Sequence, residues 1–123
     1  MEDNFPSTPN FSLEQNDLVE SLLPDAIQLL ENDFITSGID VRLSGKIYGD
    51  VFDLRDVIAQ LLAKTGGPGS EQFYRLLYRV DIRETKIREL LATAPERSFD
   101  SKVAEMLIIR SLQKAFFRRK YKE

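Results

Sequence analysis

Apolar residues recur every three or four positions through most of the second half of the chain. Behind Asp53 they are Leu54, Val57, Ile58, Leu61 and Leu62. Residues at this spacing share one face of an α-helix, because the helix turns once in about 3.6 residues. Asp53 suits the start of this helix, Lys64 its last turn and Gly66 its end. The stripe therefore predicts an amphipathic helix packed on a core.

Three more stripes follow, each behind residues that favour a helix start. The predicted starts are Ser70, the run from Asp81 to Glu84 that resembles a capping box, and Ser98 or Asp100. Pro95 ends the second of these three helices, because proline breaks a helix interior. The last helix should run for about 20 residues, or about 30 Å. The apolar positions of the three stripes are Phe73, Leu76, Leu77 and Val80; Ile87, Leu90, Leu91 and Ala94; and Val103, Ala104, Leu107, Ile108, Leu112, Ala115 and Phe116.

The first half contains one more helical pattern, which a proline interrupts. From Leu13 to Phe34 the apolar residues again recur at helical spacing. Pro24 lies inside this pattern, and proline is tolerated mainly in the first turn of a helix because it has no amide hydrogen. The sequence predicts either two helices that separate near Ser21 or one helix kinked there.

Residues 39–48 alternate instead of following the helical spacing. Ile39, Val41, Leu43 and Ile47 share one parity, with polar residues between them. Alternation of this kind is typical of a strand with one buried face. Its partner is open: the segment itself in a hairpin, residues 34–36, a second copy of the chain, or none, in which case the segment is an extended connector.

These patterns predict a mainly α fold, a compact bundle of five to six amphipathic helices with at most a short β hairpin or extended segment near 34–48. A chain of 123 residues is expected to form one domain. Residues 1–12 show no periodicity and contain two prolines, so we expect a disordered N-terminal segment there and a single helical domain over 13–123.

The composition argues against most catalytic chemistry. The chain has no cysteine and no histidine, which removes thiolate chemistry, the commonest general base and the commonest metal ligands. Asp50, Asp53 and Asp56 stand three residues apart, and we interpret them as residues that favour a helix start rather than a metal site. We therefore expect no enzyme, no catalytic residues, no cofactor, no metal and no small-molecule substrate.

The sequence also predicts a cytoplasmic protein that does not enter a membrane. No apolar run approaches the roughly 18 residues of a membrane span. The first residues are acidic and polar, unlike the basic and then apolar order of a signal peptide.

Charge is divided unevenly along the chain. Residues 1–62 carry 3 Lys and Arg against 12 Asp and Glu, whereas residues 63–123 carry 14 against 8. Such a division is expected if an acidic half packs beside a basic half, or if one face meets an anionic partner.

The basic excess is concentrated at the C-terminal end. Arg110, Lys114, Arg118 and Lys122 recur every fourth residue, and Arg119 and Lys120 add to them without an acid between. The spacing places the four on one line, about 6 Å apart, close to the phosphate spacing of a nucleic-acid strand. Like charges at this spacing repel, so compensation is expected. We favour compensation within the fold or by a protein over nucleic acid. The candidate internal partners are Glu14, Asp17, Glu20, Asp25 and Glu31.

A second candidate surface lies in the helix behind Ser70. Tyr74 and Tyr78 are one turn apart, with Arg75 and Arg79 beside them, at the edge of the buried stripe. Tyrosine and arginine side by side serve protein and nucleic-acid partners alike, although tyrosines also flank cores with no further role.

Taken as a whole, the sequence predicts a non-enzymatic module for protein–protein contacts, whose partner is another protein or a second copy of the chain. The alternative is a nucleic-acid-binding protein that uses the basic C-terminal helix. The surface that either function would use comprises the aromatic edge and the basic row: Tyr74, Tyr78, Arg110, Lys114, Arg118, Arg119, Lys120 and Lys122.

Overall fold

A computed structural model describes Phe11, Leu13 and residues 16–93 and 96–121, except for the side chains of 96–98. Within these residues it contains five α-helices and one short 3-10 helix, and no β-strand. The prediction of a mainly α bundle is confirmed. In chain order the elements are α1 (Asp17–Thr36), α2 (Val51–Thr65), the 3-10 helix Gly67–Gly69, α3 (Glu71–Val80), α4 (Glu84–Thr93) and α5 (Glu96–Lys120).

Helix α5 is the centre of the bundle, because it packs against each of the other four helices. Its apolar face is wide enough to meet neighbours on several sides. None of the helices described combines the length and the apolar character needed to cross a membrane. The buried apolar residues of α5 are Phe99, Val103, Ala104, Leu107, Ile108, Leu112 and Ala115.

The structure confirms one of the predicted helix starts and contradicts the other three. Ser70 caps α3 as predicted, since its hydroxyl accepts hydrogen bonds from the amides of the next turn. The prediction of Asp53 as the α2 cap was wrong, because Asp50 accepts from the second and third amides of α2 at 2.9 and 3.0 Å. Helix α5 begins at Glu96, ahead of both predicted caps, and Asp81 belongs to the end of α3 rather than to α4.

Helix α1 runs through Pro24 as a single helix, so of the two predicted arrangements the one with two separate helices is excluded. Asn16 caps it by accepting from the Val19 amide at 2.8 Å. A helix carbonyl has two lone pairs, so the turn before Pro24 can accept a further hydrogen bond from an outside donor. Arg119 of α5 is such a donor, with its Nη2 at 2.9 Å from the Ser21 carbonyl oxygen.

Residues 37–50 connect α1 to α2 without a β-strand, so the alternation predicted at 39–48 belongs to a connector, one of the arrangements that the sequence left open. The alternation holds over residues 39–43, where Ile39 and Leu43 are buried and Asp40 and Arg42 face solvent, but it fails at Ile47, which is exposed. An extended chain that lies along a helical core needs the same alternation as a strand, because its side chains also point to opposite sides.

Glu31 of α1 holds this connector in place. Its Oε1 accepts hydrogen bonds from the Leu43 amide at 2.6 Å and the Ser44 amide at 2.9 Å, and the Ser44 hydroxyl lies 3.1 Å from both carboxylate oxygens. The Tyr48 hydroxyl closes the segment by donating to the Leu43 carbonyl at 2.8 Å. These bonds replace the strand ladder that the segment lacks.

The predicted disordered segment, residues 1–12, lies outside the described residues except for Phe11. The Phe11 ring is partly buried and meets the Phe116 ring of α5 edge to face, with 6.3 Å between centroids.

We predict that Glu31→Gln lowers the stability of the fold at neutral pH and not in acid. The amides of Ser44 and then Leu43 lower the pKa of Glu31 below its usual 4.5, because they bind the ionised form. A carboxyl with a lowered folded pKa contributes stability above its unfolded pKa, and this contribution disappears as the pH falls through the folded value.

Urea unfolding of the wild type and of Glu31→Gln between pH 7 and pH 3 measures the difference in their unfolding free energies. The gap in unfolding free energy should be largest at pH 7 and close in acid. Glu89→Gln, at an exposed position on α4, should show no gap at any pH. A gap of constant size across the range would contradict the prediction.

Candidate interaction surface

The closing basic row does not form one line of free cations, because the fold uses its first members internally. Arg110 pairs with Asp81, with 2.8 Å between Nη2 and Oδ2, and also donates to Gln113. Asp81 reaches this position because it ends α3 in the left-handed conformation, at φ 70°. The Arg110 guanidinium, through its hydrogen bond and its charge, lowers the pKa of Asp81.

Lys114 is bound more deeply. Its Nζ lies 3.3 Å from Oδ2 of Asp33 and 3.0 Å from the carbonyl oxygen of Arg79. The Arg79 Nε lies 3.4 Å from the other oxygen of Asp33, whose side chain is only 10% exposed. Asp33 is on α1, Arg79 on α3 and Lys114 on α5, so this cluster ties three helices together. A buried carboxylate requires such partners, because leaving its charge unpaired costs several kcal/mol.

The later members of the row lie apart from the first. Arg119 donates to the hydroxyl and carbonyl of Ser21 and pairs with Asp25 at 3.3 Å. Lys120 is exposed, with its Nζ 5.8 Å from the centre of the Phe116 ring. Arg118 is exposed at a groove between α1 and α5, lined also by Gln28 and Asn32. Lys122 lies outside the described residues.

Asp25, one of the suggested internal partners, contacts the row through Arg119. Glu31 serves the connector instead, and the carboxylates that bind Lys114 and Arg110 are Asp33 and Asp81. No spacing in the sequence points to either pair, since Asp33 and Lys114 are 81 positions apart.

Tyr74 and Tyr78, the predicted aromatic edge, both lie on α3 but differ in how far they are exposed. Tyr74 is half-buried, with its ring edge-on to Phe73 at 5.2 Å, whereas Tyr78 is 86% exposed. The arginines beside them are engaged, Arg75 with Glu71 at 3.2 Å and Arg79 with Asp33. The Tyr78 ring therefore lies largely in solvent.

Two grooves flank the turn between α3 and α4, residues 81–83. The first, which we call the tyrosine groove, has a volume of about 320 Å³ and is lined by Tyr74, Tyr78 and the turn. The second, the basic groove, has a volume of about 300 Å³ and lies between α4 and α5. Its lining comprises apolar Ile82, Met106 and Ile109, polar Gln113, and the charged Asp81, Arg83, Lys86 and Arg110.

The basic groove carries three cations and one carboxylate, and that carboxylate already pairs with Arg110. Arg83 and Lys86 are exposed, and within the described residues neither has an acidic partner at ion-pair distance. In a chain with a net charge of −3, this groove is a local positive surface over an apolar floor.

The structure therefore brings the aromatic edge and Arg110 to adjacent grooves, and separates both from Arg118 and Arg119. Sequence reasoning missed Ile82, Arg83 and Lys86, which stand in the short connection and the first turns of α4. It also missed Met106 and Ile109, which are apolar residues outside the buried stripe of α5. Two apolar residues three apart on an otherwise polar helix face are a signal that could have indicated them.

Among the described residues, no group of three or more acidic side chains is placed to hold a metal ion. No protein-family model, curated protein or solved structure matches this chain.

We predict that Lys114→Ala lowers the unfolding free energy by about 1–2 kcal/mol, because it removes a charged hydrogen-bond donor from the buried Asp33 while Arg79 remains. Arg118→Ala, four residues further along the same helix, should change it by less than about 0.5 kcal/mol because that side chain is exposed. Chemical denaturation of both variants measures the difference. Equal effects would show that the contact of Lys114 with Asp33 adds nothing to stability.

Proposed function

We propose that this chain is a non-enzymatic helical module that binds a protein partner, either another protein or a second copy of itself, through the tyrosine groove and the basic groove. The observation that carries the proposal is Tyr78, a large aromatic residue 86% exposed beside a groove that contains Tyr74. Tyrosine, methionine and arginine are enriched at the centres of protein interfaces, and the two grooves supply all three.

The contacts of the basic row support a protein partner over nucleic acid. Arg110, Lys114 and Arg119 each bind an acidic residue of this chain. An ion pair has no net charge and attracts a phosphate weakly. Moving the cation to a phosphate would leave the carboxylate without its partner.

The absence of histidine and cysteine supports the non-enzymatic part of the proposal. A cytoplasmic location belongs to the proposal too, and it is supported by the lack of cysteine in a chain large enough to fold without disulfides.

We expect the full chain, used as bait in a lysate of its source, to retain protein partners after nuclease treatment, and Tyr78→Ala to lower their recovery about tenfold or more. A central interface aromatic typically contributes about 2 kcal/mol or more to binding. Tyr121→Ala is the matched control, because Tyr121 is 57% exposed but lies outside both grooves. Partners lost on nuclease treatment, or equal loss in the two variants, would contradict the proposal.

Nucleic-acid binding by the end of α5 is the second candidate, and one arrangement favours it. Arg118 and Lys120 are exposed, and the rings of Phe117, just before them, and Tyr121, just after them, stack with 5.9 Å between centroids. Proteins that bind single-stranded nucleic acid commonly combine cations with exposed aromatic rings.

We expect RNA and DNA to bind negligibly at about 0.15 M salt, where charges are screened beyond about 8 Å. If the second candidate is correct, the logarithm of affinity will fall with the logarithm of salt by about 0.7–0.9 per phosphate contact. Replacing Arg118 and Lys122 by Gln would flatten that slope. Replacing Arg75 and Arg88 by Gln is the control for a change of net charge alone, because Arg75 pairs with Glu71 on α3 and Arg88 pairs with Glu84 on α4.

A further inference from the structure

The connector between α1 and α2 presents an apolar side chain to solvent on a backbone that is firmly held. Ile47 is 99% exposed, and Phe52, at the start of α2, is 40% exposed. The hydrogen bonds of Glu31 fix the connector before Ile47, and the Gly49 amide donates to Asp53 at 2.9 Å after it. An exposed isoleucine loses apolar burial worth about 1.5–3 kcal/mol, which a partner could recover without ordering a loop.

Acidic residues lie close to these two apolar residues in the chain. Asp50 and Asp53 flank Phe52 and are both exposed. Arg55 lies over the Phe52 ring at 5.0 Å, but Asp56 and Glu105 both pair with it. The stretch from Lys46 to Asp56 together with Glu105 therefore contains two cations, Lys46 and Arg55, and four carboxylates, so its net charge is negative. We call Ile47, Phe52, Asp50 and Asp53 the loop patch.

The basic groove also combines apolar and charged side chains, but its charge is positive where that of the connector is negative. Its floor is apolar, with Ile82, Met106 and Ile109 partly exposed, and Arg83 and Lys86 supply positive charge at its edge. Its volume of about 300 Å³ is at the lower end of the range for ligand pockets, which suits one or two anchoring side chains.

We propose that the loop patch of one copy of the chain docks in the basic groove of a second copy. The inference rests on the proposed function and specifies its partner. Ile47 and Phe52 lie on the apolar floor, and the carboxylates of Asp50 and Asp53 face Arg83 and Lys86. Charge complementarity selects this occupant, since the acidic patch and the basic groove are both properties of the same chain. The contact joins two different surfaces, so a dimer with a two-fold axis contains it twice.

Sedimentation velocity over a wide range of protein concentration tests the proposal with the full chain. We expect the wild type to dimerise and higher salt to weaken the dimer. Ile47→Ser, with Ile47→Ala as a second variant, and the pair Arg83→Glu with Lys86→Glu should each weaken association about tenfold or more. Ile35→Ser is the matched control, because Ile35 is 49% exposed on α1 but belongs to neither surface. Circular dichroism establishes that each variant is folded.

Mixing the variants gives the sharper result. Ile47→Ser keeps an intact basic groove, and the charge-reversed pair keeps an intact loop patch. At a protein concentration at which each variant alone is mostly monomeric, an equal mixture should form a heterodimer through the one contact that remains whole. Restoration of association in the mixture supports the proposal.

Three results would overturn it. They are a wild type that stays monomeric at every concentration, association that Ile47→Ser leaves unchanged, or association that the pair Arg83→Glu with Lys86→Glu leaves unchanged. A monomeric wild type that still captures nuclease-resistant partners through Tyr78 would refute self-docking and leave the proposed function standing. Loss of both would refute the proposed function as well.

Discussion

The wide apolar face of α5 is the constraint on which the rest of the structure depends. One neighbouring helix covers only part of such a face, so α1, α2, α3 and α4 all pack around it. Helices α1 and α5 run in opposite directions, since Asp25 meets Arg119 while Asp33 meets Lys114. Because neighbours close in on several sides of α5, side chains at the edges of its apolar face also fall within their reach. For this reason Arg110 and Lys114 form ion pairs with residues of neighbouring helices.

Two carboxylates of α1 show how polar groups complete this apolar arrangement. Glu31 and Asp33 stand two positions apart and therefore point to different sides of the helix, one to the connector and the other to α3 and α5. Each is buried, and each is matched by donors from a distant part of the chain. Glu31 fixes an irregular segment that has no backbone ladder, whereas Asp33 fixes the relative placement of three helices.

The two candidate surfaces follow from these internal contacts. The pairing of Arg110 with Asp81 holds the turn between α3 and α4 against α5, and the tyrosine groove and basic groove lie on either side of that turn. The bonds of Glu31 hold the connector so that Ile47 faces solvent. Interaction surfaces built on fixed backbone lose little conformational entropy on binding, and both surfaces have this property.

The sequence by itself determined the helices, because each depends on local features: apolar spacing, a capping serine such as Ser70, and a helix-ending glycine such as Gly66. It also indicated the alternation of residues 39–43 and the aromatic edge on α3. Only the tertiary structure decided that this alternation belongs to a connector and that Lys114 is an internal ion-pair partner. It likewise decided that Ile82, Arg83 and Met106 line one groove. These outcomes depend on contacts between residues far apart in the chain, such as Glu31 with Leu43 and Asp33 with Lys114. Helical periodicity tells which side of a helix is buried, but it carries no information about which charged residue of another helix will lie opposite.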